Sequence, residues 1–243
     1  MPSDPPQAVL FDLDGTLIDT ETLWWEATAA VAASLGLSLG PDDVPHVLGR
    51  TVEDVAAHLI AARAGTTATR PHPAQADAAR PDPAQADAAR PLPVRADAAC
   101  LLLPRADTVA ARLTDGFAQR VAAGFDLIPG ALPLLRGLAA AAVPTALVTA
   151  SPRAIADLVL PRLGHRFDQI VTAEDTPRGK PHPDPYLEAA RRLAVLPERC
   201  VAIEDSPTGI AAATAAGCRV LVVDPHSGLP ELREIGKLAR RER

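Results

Sequence analysis

Aromatic residues make up only 3% of this 243-residue chain. Lysine is rarer still: of 24 basic residues only Lys180 and Lys237 are lysine, the rest arginine. A core so short of rings has to be built from Leu, Val, Ile and Ala, and alanine alone supplies about one residue in five. The three cysteines, Cys100, Cys200 and Cys218, are odd in number and widely spaced. They form neither a disulfide framework nor a zinc knuckle. No window approaches the roughly 20 continuous apolar residues of a membrane span. Met1-Pro2-Ser3-Asp4-Pro5-Pro6 has neither the basic flank nor the apolar stretch of a secretory leader. Basic runs are missing and the net charge is -6, which argues against a nucleic-acid surface. The expectation is a soluble protein of a reducing compartment, cytoplasmic, without nucleic-acid or membrane partners, and a monomer.

The length fits one large domain or a domain carrying a sizeable insertion. Residues 8–12 are a short apolar run ending in acid, followed by Gly15, which reads as a buried strand entering a loop. Segments 145–149, 169–172, 200–204 and 219–223 look alike. Helical patterns lie between or after them at 131–142, 153–163, 183–194 and 207–216. This alternation predicts parallel βαβ units and a doubly wound α/β sheet. About 130 residues separate the first strand from the second, far more than a crossover needs. Their pattern is helical at 21–36, 51–64 and 108–123. The division expected is a core of residues 1–18 and 126–243 with an inserted helical cap of residues 19–125. A ligand would sit at the C-terminal ends of the core strands, beneath the cap.

Within the insertion, residues 70–99 repeat a decapeptide beginning Arg70-Pro71-His72-Pro73-Ala74. Ten residues is too short a period for helical solenoids. Pro at the second and fourth positions blocks continuous helix, and the Ala-rich remainder offers little to bury. A loosely packed or disordered expansion is expected here rather than a docking element.

Chemistry-bearing residues gather at strand ends. Asp12-Leu13-Asp14-Gly15-Thr16 closes the first strand, and two carboxylates there are costly unless a cation or a function holds them. A calcium loop would need further acids where Leu17 and Ile18 stand. The second strand ends in Thr149-Ala150-Ser151, a hydroxyl and loop amides suited to phosphate oxygens. Lys180 stands in Gly179-Lys180-Pro181-His182-Pro183, just before a helix, and the fourth strand ends in Glu204-Asp205-Ser206. Together these make a site for Mg²⁺ and a phosphoryl group. A lysine spared in a chain that otherwise uses arginine fits a point charge beside a phosphate oxygen.

In these motifs and their order the chain resembles the haloacid dehalogenase superfamily, in the subgroup of β-phosphoglucomutase and phosphoglycolate phosphatase. The likeness covers everything but the Pro/Ala repeat. It implies Asp12 as nucleophile, Asp14 as general acid and base, and Thr149 and Lys180 as holders of the phosphoryl oxygens. It implies Mg²⁺ on Asp12, the Asp14 carbonyl and Asp205, with Glu204 assisting. The expected substrate is a small phosphorylated metabolite. Dehalogenases lack the second aspartate, and phosphonatases use a cap lysine that this insertion does not have. The mutases carry a cap histidine where Trp24 falls here. Hydrolysis is therefore expected, ahead of a sugar-phosphate mutase. A non-catalytic phospho-acceptor resembling response-regulator receivers is the alternative of another class, but receivers have no such insertion.

Weaker signals come from the cap. Arg50, in Leu48-Gly49-Arg50-Thr51, is either a contact for an anionic substrate group or a surface cation. Trp24 and Trp25 are expected to pack in the core or at the hinge ahead of contacting substrate, and His46 and His58 to pack or lie on the surface. Asp19 and Glu21 are expected to cap the first helix. Ser206-Pro207-Thr208-Gly209 is expected to place Asp205 and start a helix.

Overall fold

The computed structural model describes residues 6–69 and 104–238, so the 70–99 repeat and Cys100 lie outside the described residues. The strands described are β1 (Ala8–Phe11), β2 (Ile18–Asp19), β3 (Asp126–Leu127), β4 (Thr145–Val148), β5 (Gln169–Val171), β6 (Cys200–Glu204) and β7 (Arg219–Val222). The helices are α1 (Glu21–Ser34), α2 (Val44–Val47), α3 (Val52–Thr69), α4 (Ala106–Ala123) and α5 (Ala131–Ala140). They continue as α6 (Arg153–Leu163), α7 (Asp184–Arg192), α8 (Pro207–Ala215) and α9 (Leu232–Leu238).

Five strands form one parallel sheet in the order β5-β4-β1-β6-β7. All four residues of β1 are buried, as the central strand of a sheet covered on both faces requires. Successive side chains point to opposite faces, so Val9 and Phe11 join Leu147, Val201 and Ile203 on one side. Leu134, Leu135 and Leu138 of α5 and Ile155, Val159 and Leu163 of α6 cover that side. Ala8 and Leu10 join Ala146, Val148 and Ala202 on the other, beneath Tyr186, Ala189 and Ala190 of α7 and Ala212 and Ala213 of α8. Each buried Leu-sized side chain adds roughly 1.5–3 kcal/mol to these two layers. This is the doubly wound α/β fold expected from the sequence.

The chain crosses from β1 toward β4 and β5 on one side and returns to β6 on the other. The C-terminal end of β1 is thus the point where strand order reverses, the position where open α/β sheets bind ligands. Just past it the chain leaves the sheet through β2 and comes back through β3. These pair antiparallel, Ile18 opposite Leu127 and Asp19 opposite Asp126. Between exit and return, α1, α3 and α4 close on their own apolar cluster of Val31, Leu35, Val55, Leu59, Val109 and Leu113.

Candidate active site

The loop after β1 is shaped by its own backbone. Asp12 N–H donates to the Ile203 carbonyl at 3.1 Å, and the Leu13 carbonyl accepts from the N–H groups of Thr16, Leu17 and Ile18. Gly15 has φ +84°, a region that disfavours side chains. A Cβ there would also overlap the Asp205 carboxylate. The Thr16 hydroxyl donates to Asp205 Oδ1 at 2.8 Å, fixing the acid at the end of β6 against the turn at the end of β1.

Lys180 lies beneath this loop with its side chain only 4% exposed. Its ammonium donates to Asp12 Oδ1 at 2.6 Å and to Glu204 Oε1 at 2.5 Å. The Tyr186 hydroxyl donates to the same Glu204 oxygen at 2.6 Å, and its ring lies 5.2 Å from Lys180 Nζ. Ser206 donates to the other Glu204 oxygen at 3.2 Å while accepting from Gly209 N–H at 3.1 Å as the N-cap of α8. A Cβ on Gly209 would overlap the Glu204 carboxylate. Ser206 to Gly209 therefore starts the helix, as expected, and also makes room for a buried acid.

Asp14 is held by hydroxyls. Ser151 donates to its Oδ2 at 2.7 Å, Thr149 to the same oxygen at 3.4 Å, and Thr20 to Oδ1 at 3.0 Å. Thr149 in turn accepts the Ser151 N–H at 2.9 Å, which stiffens the loop after β4. The expectation that Asp19 and Glu21 cap α1 holds only in part, since Glu21 lies in the first turn, where its charge suits the helix N-terminus. The N-cap residue is Thr20 and no side chain caps the helix. Thr20 has committed its hydroxyl to Asp14, and Asp19 is in β2.

Burial is the largest influence on the Asp12 carboxyl and pushes it well above its ordinary range. Lys180 opposes this, while Glu204, Asp205 and Asp14 add to it. Burial likewise raises Asp14 in spite of its three hydroxyl donors. Asp205 is pushed up to about 6 by burial, aided by Glu204 and opposed by the Thr16 hydroxyl. Burial alone would lower Lys180, but Asp12 and Glu204 outweigh it and hold the ammonium above its ordinary value. One ammonium thus faces four carboxylates. Oxygens of Asp12, Glu204 and Asp205 lie within 4.8 Å of one another. An all-oxygen, anionic donor set with this excess of negative charge fits a hard divalent cation such as Mg²⁺. Asp12 and Asp205 are its open donors, because Glu204 already serves Lys180, Tyr186 and Ser206.

Above this floor is a cavity of about 300 Å³. Asp12, Asp14, Ala150, Ser151, Lys180 and Asp205 line it from the strand ends and their loops, and Trp24, Leu48, Arg50, Val52, Thr114 and Phe117 from the segment between β2 and β3. Thr149 and Glu204, 2% and 0% exposed, stand behind this lining and touch it through Asp14 and Lys180. Arg50 reaches the cavity rim, its Nε donating to the Pro45 carbonyl at 2.9 Å. His46 and His58 stack at 4.6 Å away from the cavity, with His58 at 2.8 Å from Asp43. Three site residues had no role in the sequence reading: Thr16, Thr20 and Tyr186. Thr16 closes the Asp-x-Asp-Gly-Thr motif, and Tyr186 is the chain's single tyrosine. Thr20 carries no comparable signal.

The haloacid dehalogenase-like hydrolase family model matches residues 6–217. The chain belongs to that family. Hexitol phosphatase B of Escherichia coli K12 is 32% identical over 226 residues, 89% of this chain and 82% of that one. Hexitol phosphatase A of the same organism is 38% identical over 118 residues, which are 46% of this chain and 52% of that protein. Among solved structures, CbbY of Rhodobacter sphaeroides in complex with phosphate superposes with a TM-score of 0.65 at 27% identity, covering 90% of this chain and 86% of that one.

Proposed function

We propose that this hydrolase removes phosphate from a small hydroxylated metabolite, a sugar or polyol phosphate, through an aspartyl-phosphate on Asp12. The observation that carries the reading is the Lys180 ammonium, bonded to both Asp12 and Glu204 on the floor of the cavity, with Asp14 and Asp205 beside it. Names of relatives, two hexitol phosphatases, support the substrate class. A cavity of about 300 Å³ is of the right scale for such a molecule. Residues 19–125 act as a cap over a core of 1–18 and 126–243.

Asp12 attacks phosphorus, and the bond to the ester oxygen breaks. Asp14 gives the departing oxygen its proton. It then takes a proton from the water that cleaves the aspartyl-phosphate, which restores Asp12 and frees inorganic phosphate. Lys180 steadies Asp12 and, with the Ala150–Ser151 loop, holds the phosphoryl oxygens, while Thr149 supports that loop from behind the lining. Asp12, the Asp14 carbonyl and Asp205 would hold Mg²⁺, with Glu204 assisting from behind through its bonds to Lys180 and Ser206. When bound, the ion supplies the charge neutralisation that lets a carboxylate and a phosphate meet. Thr20, Ser151 and Thr149 aim Asp14 into the cavity.

The test is release of inorganic phosphate from a panel of sugar and polyol phosphates by the purified protein with Mg²⁺. Turnover is expected to vanish on chelation and in Asp12→Asn. Turnover that survives both would overturn the assignment.

A further inference from the structure

The first turn of α1 ties the core side of the cavity to its cap side. At its start Thr20 gives its hydroxyl to Asp14 at 3.0 Å, and its carbonyl accepts the Trp24 N–H at 2.9 Å. One turn on, Trp24 Nε1 donates to the Val47 carbonyl at 2.9 Å, at the end of α2. Beyond Val47 the chain passes along the cavity as Leu48, Gly49 and Arg50, with Gly49 at φ +68°. Arg50 reaches back to Pro45, so both side-chain tethers of this loop end on carbonyls of α2. Such carbonyls at a helix end have no partner within the helix. The indole is donor only, and without it the Val47 carbonyl would lose its bond.

The same ring faces the cavity. It meets Phe117 edge to face at 5.4 Å and 79°, and it packs against both the cluster of the sheet and that of the cap. A packing tryptophan would also bond its N–H to a nearby carbonyl; what sets Trp24 apart is that its ring lines the cavity while the carbonyl it takes opens onto the loop that carries Arg50.

We propose that Trp24 is a specificity-determining residue: its ring forms the wall met by the sugar or polyol part of the substrate, and its N–H fixes the loop that presents Arg50. The proposal rests on the phosphatase reading above. Trp24 lines the cavity from α1 and not from a strand end, so it acts on the part of the substrate that acetyl phosphate lacks.

The test compares kcat/KM for sorbitol 6-phosphate and fructose 1-phosphate with that for acetyl phosphate, which is too short to span the cavity. Trp24→Phe keeps an aromatic ring and removes the N–H. It is expected to lower the sugar-to-acetyl ratio about tenfold, chiefly through KM, the scale of one lost hydrogen bond. Trp25→Phe is expected to leave the ratio within about twofold. Equal losses on the sugar phosphates and on acetyl phosphate, or no loss, would overturn the proposal. A second measurement leaves Trp24 intact. The chain has two tryptophans, so Trp25→Phe makes Trp24 the sole one. In an Asp12→Asn background, sorbitol 6-phosphate should shift its emission saturably and by more than inorganic phosphate does. An unchanged spectrum would overturn the proposal. Absence of phosphate release from every ester by the unmodified protein would instead overturn the phosphatase reading itself.

Discussion

On the floor of the cavity one ammonium bonds to Asp12 and Glu204 at 2.6 and 2.5 Å, and the hydroxyls of Thr16, Thr20, Thr149, Ser151, Tyr186 and Ser206 donate to Asp14, Glu204 and Asp205 at 2.6 to 3.4 Å. The wall opposite, from the segment between β2 and β3, is Trp24, Leu48, Val52 and Phe117, with Arg50 at its rim. The floor is made of groups that phosphoryl chemistry requires at fixed points, each locked by a second residue. The wall offers shape and apolar surface, which many side chains can supply. Substitutions on the floor should therefore damage every phosphate ester alike, while substitutions in the wall should change the choice among esters.

The largest effect expected is that of Asp12→Asn. It keeps the shape of the floor and removes the attacking group, so turnover should fall by at least about 10³-fold on sugar esters and acetyl phosphate together. Activity within tenfold of the unmodified protein would break the assignment of the floor. Lys180→Ala comes next, with a loss of about 10²–10³-fold, the scale of a lost electrostatic contact in a catalytic site. Lys180→Arg should rescue poorly, because a planar guanidinium does not fit between Asp12 and Glu204 as an ammonium does. Lys237→Arg, in α9, should leave turnover within about twofold. Equal behaviour of the two arginine variants would show a general need for positive charge rather than a placed one.

The floor was legible in the sequence because a strand end followed by acid or lysine is both a structural and a chemical signal. The five core strands are short apolar runs, and the sheet places their ends together. The β2–β3 ribbon was not legible, since two residues per strand leave no alternation to read. Thr20 misled for a physical reason. Its acidic neighbours Asp19 and Glu21 look like helix caps, yet its own hydroxyl is drawn to Asp14 by the fold. Tyr186 was hidden because a buried tyrosine in a helix reads as core, and only the contact with Glu204 gives it a second role. The wall was the least legible part. Trp24 lies among ordinary packing residues, and its N–H bond to Val47 joins segments that are paired only by tertiary folding.

A charged cluster away from the cavity sharpens the contrast with the floor. Asp175 accepts from the Thr172 N–H and hydroxyl, each at 2.8 Å, and pairs with Arg192 at 2.8 Å and Arg153 at 3.3 Å. It joins the end of β5 to α6 and α7 and does not line the cavity. Burial alone would raise its carboxyl, but Arg192 and Thr172 outweigh it and hold it at about 2. A folded value below the ordinary one means that the stabilisation is full above about pH 4 and fades as pH falls toward 2. Asp175→Asn should cost about 2 kcal/mol at pH 7. The gap in unfolding free energy between the two proteins should narrow between pH 4 and 2, while kcat of the folded variant at pH 7 stays within about twofold. A gap that held constant with pH would mean that the carboxylate charge is not what stabilises this corner.

The smallest effect is expected from deleting residues 70–99, which lie on the cap side of the comparison. The described cavity lining comes from residues outside this stretch. Helices α3 and α4 already pack through Val55, Ala56 and Leu59 against Val109 and Leu113. After deletion, residues 100–105 would still join Thr69 to Ala106, a connection of the length usual between antiparallel helices. A Pro/Ala repeat has little apolar surface to set against the backbone entropy of ordering, about 1–2 kcal/mol per residue. The deleted protein should therefore fold, and its kcat/KM for acetyl phosphate and for sorbitol 6-phosphate should each stay within about twofold. Loss of soluble folded protein would show that the repeat belongs to the cap's core. A change confined to sorbitol 6-phosphate would instead extend the selective wall beyond Trp24 and Phe117 into the repeat itself.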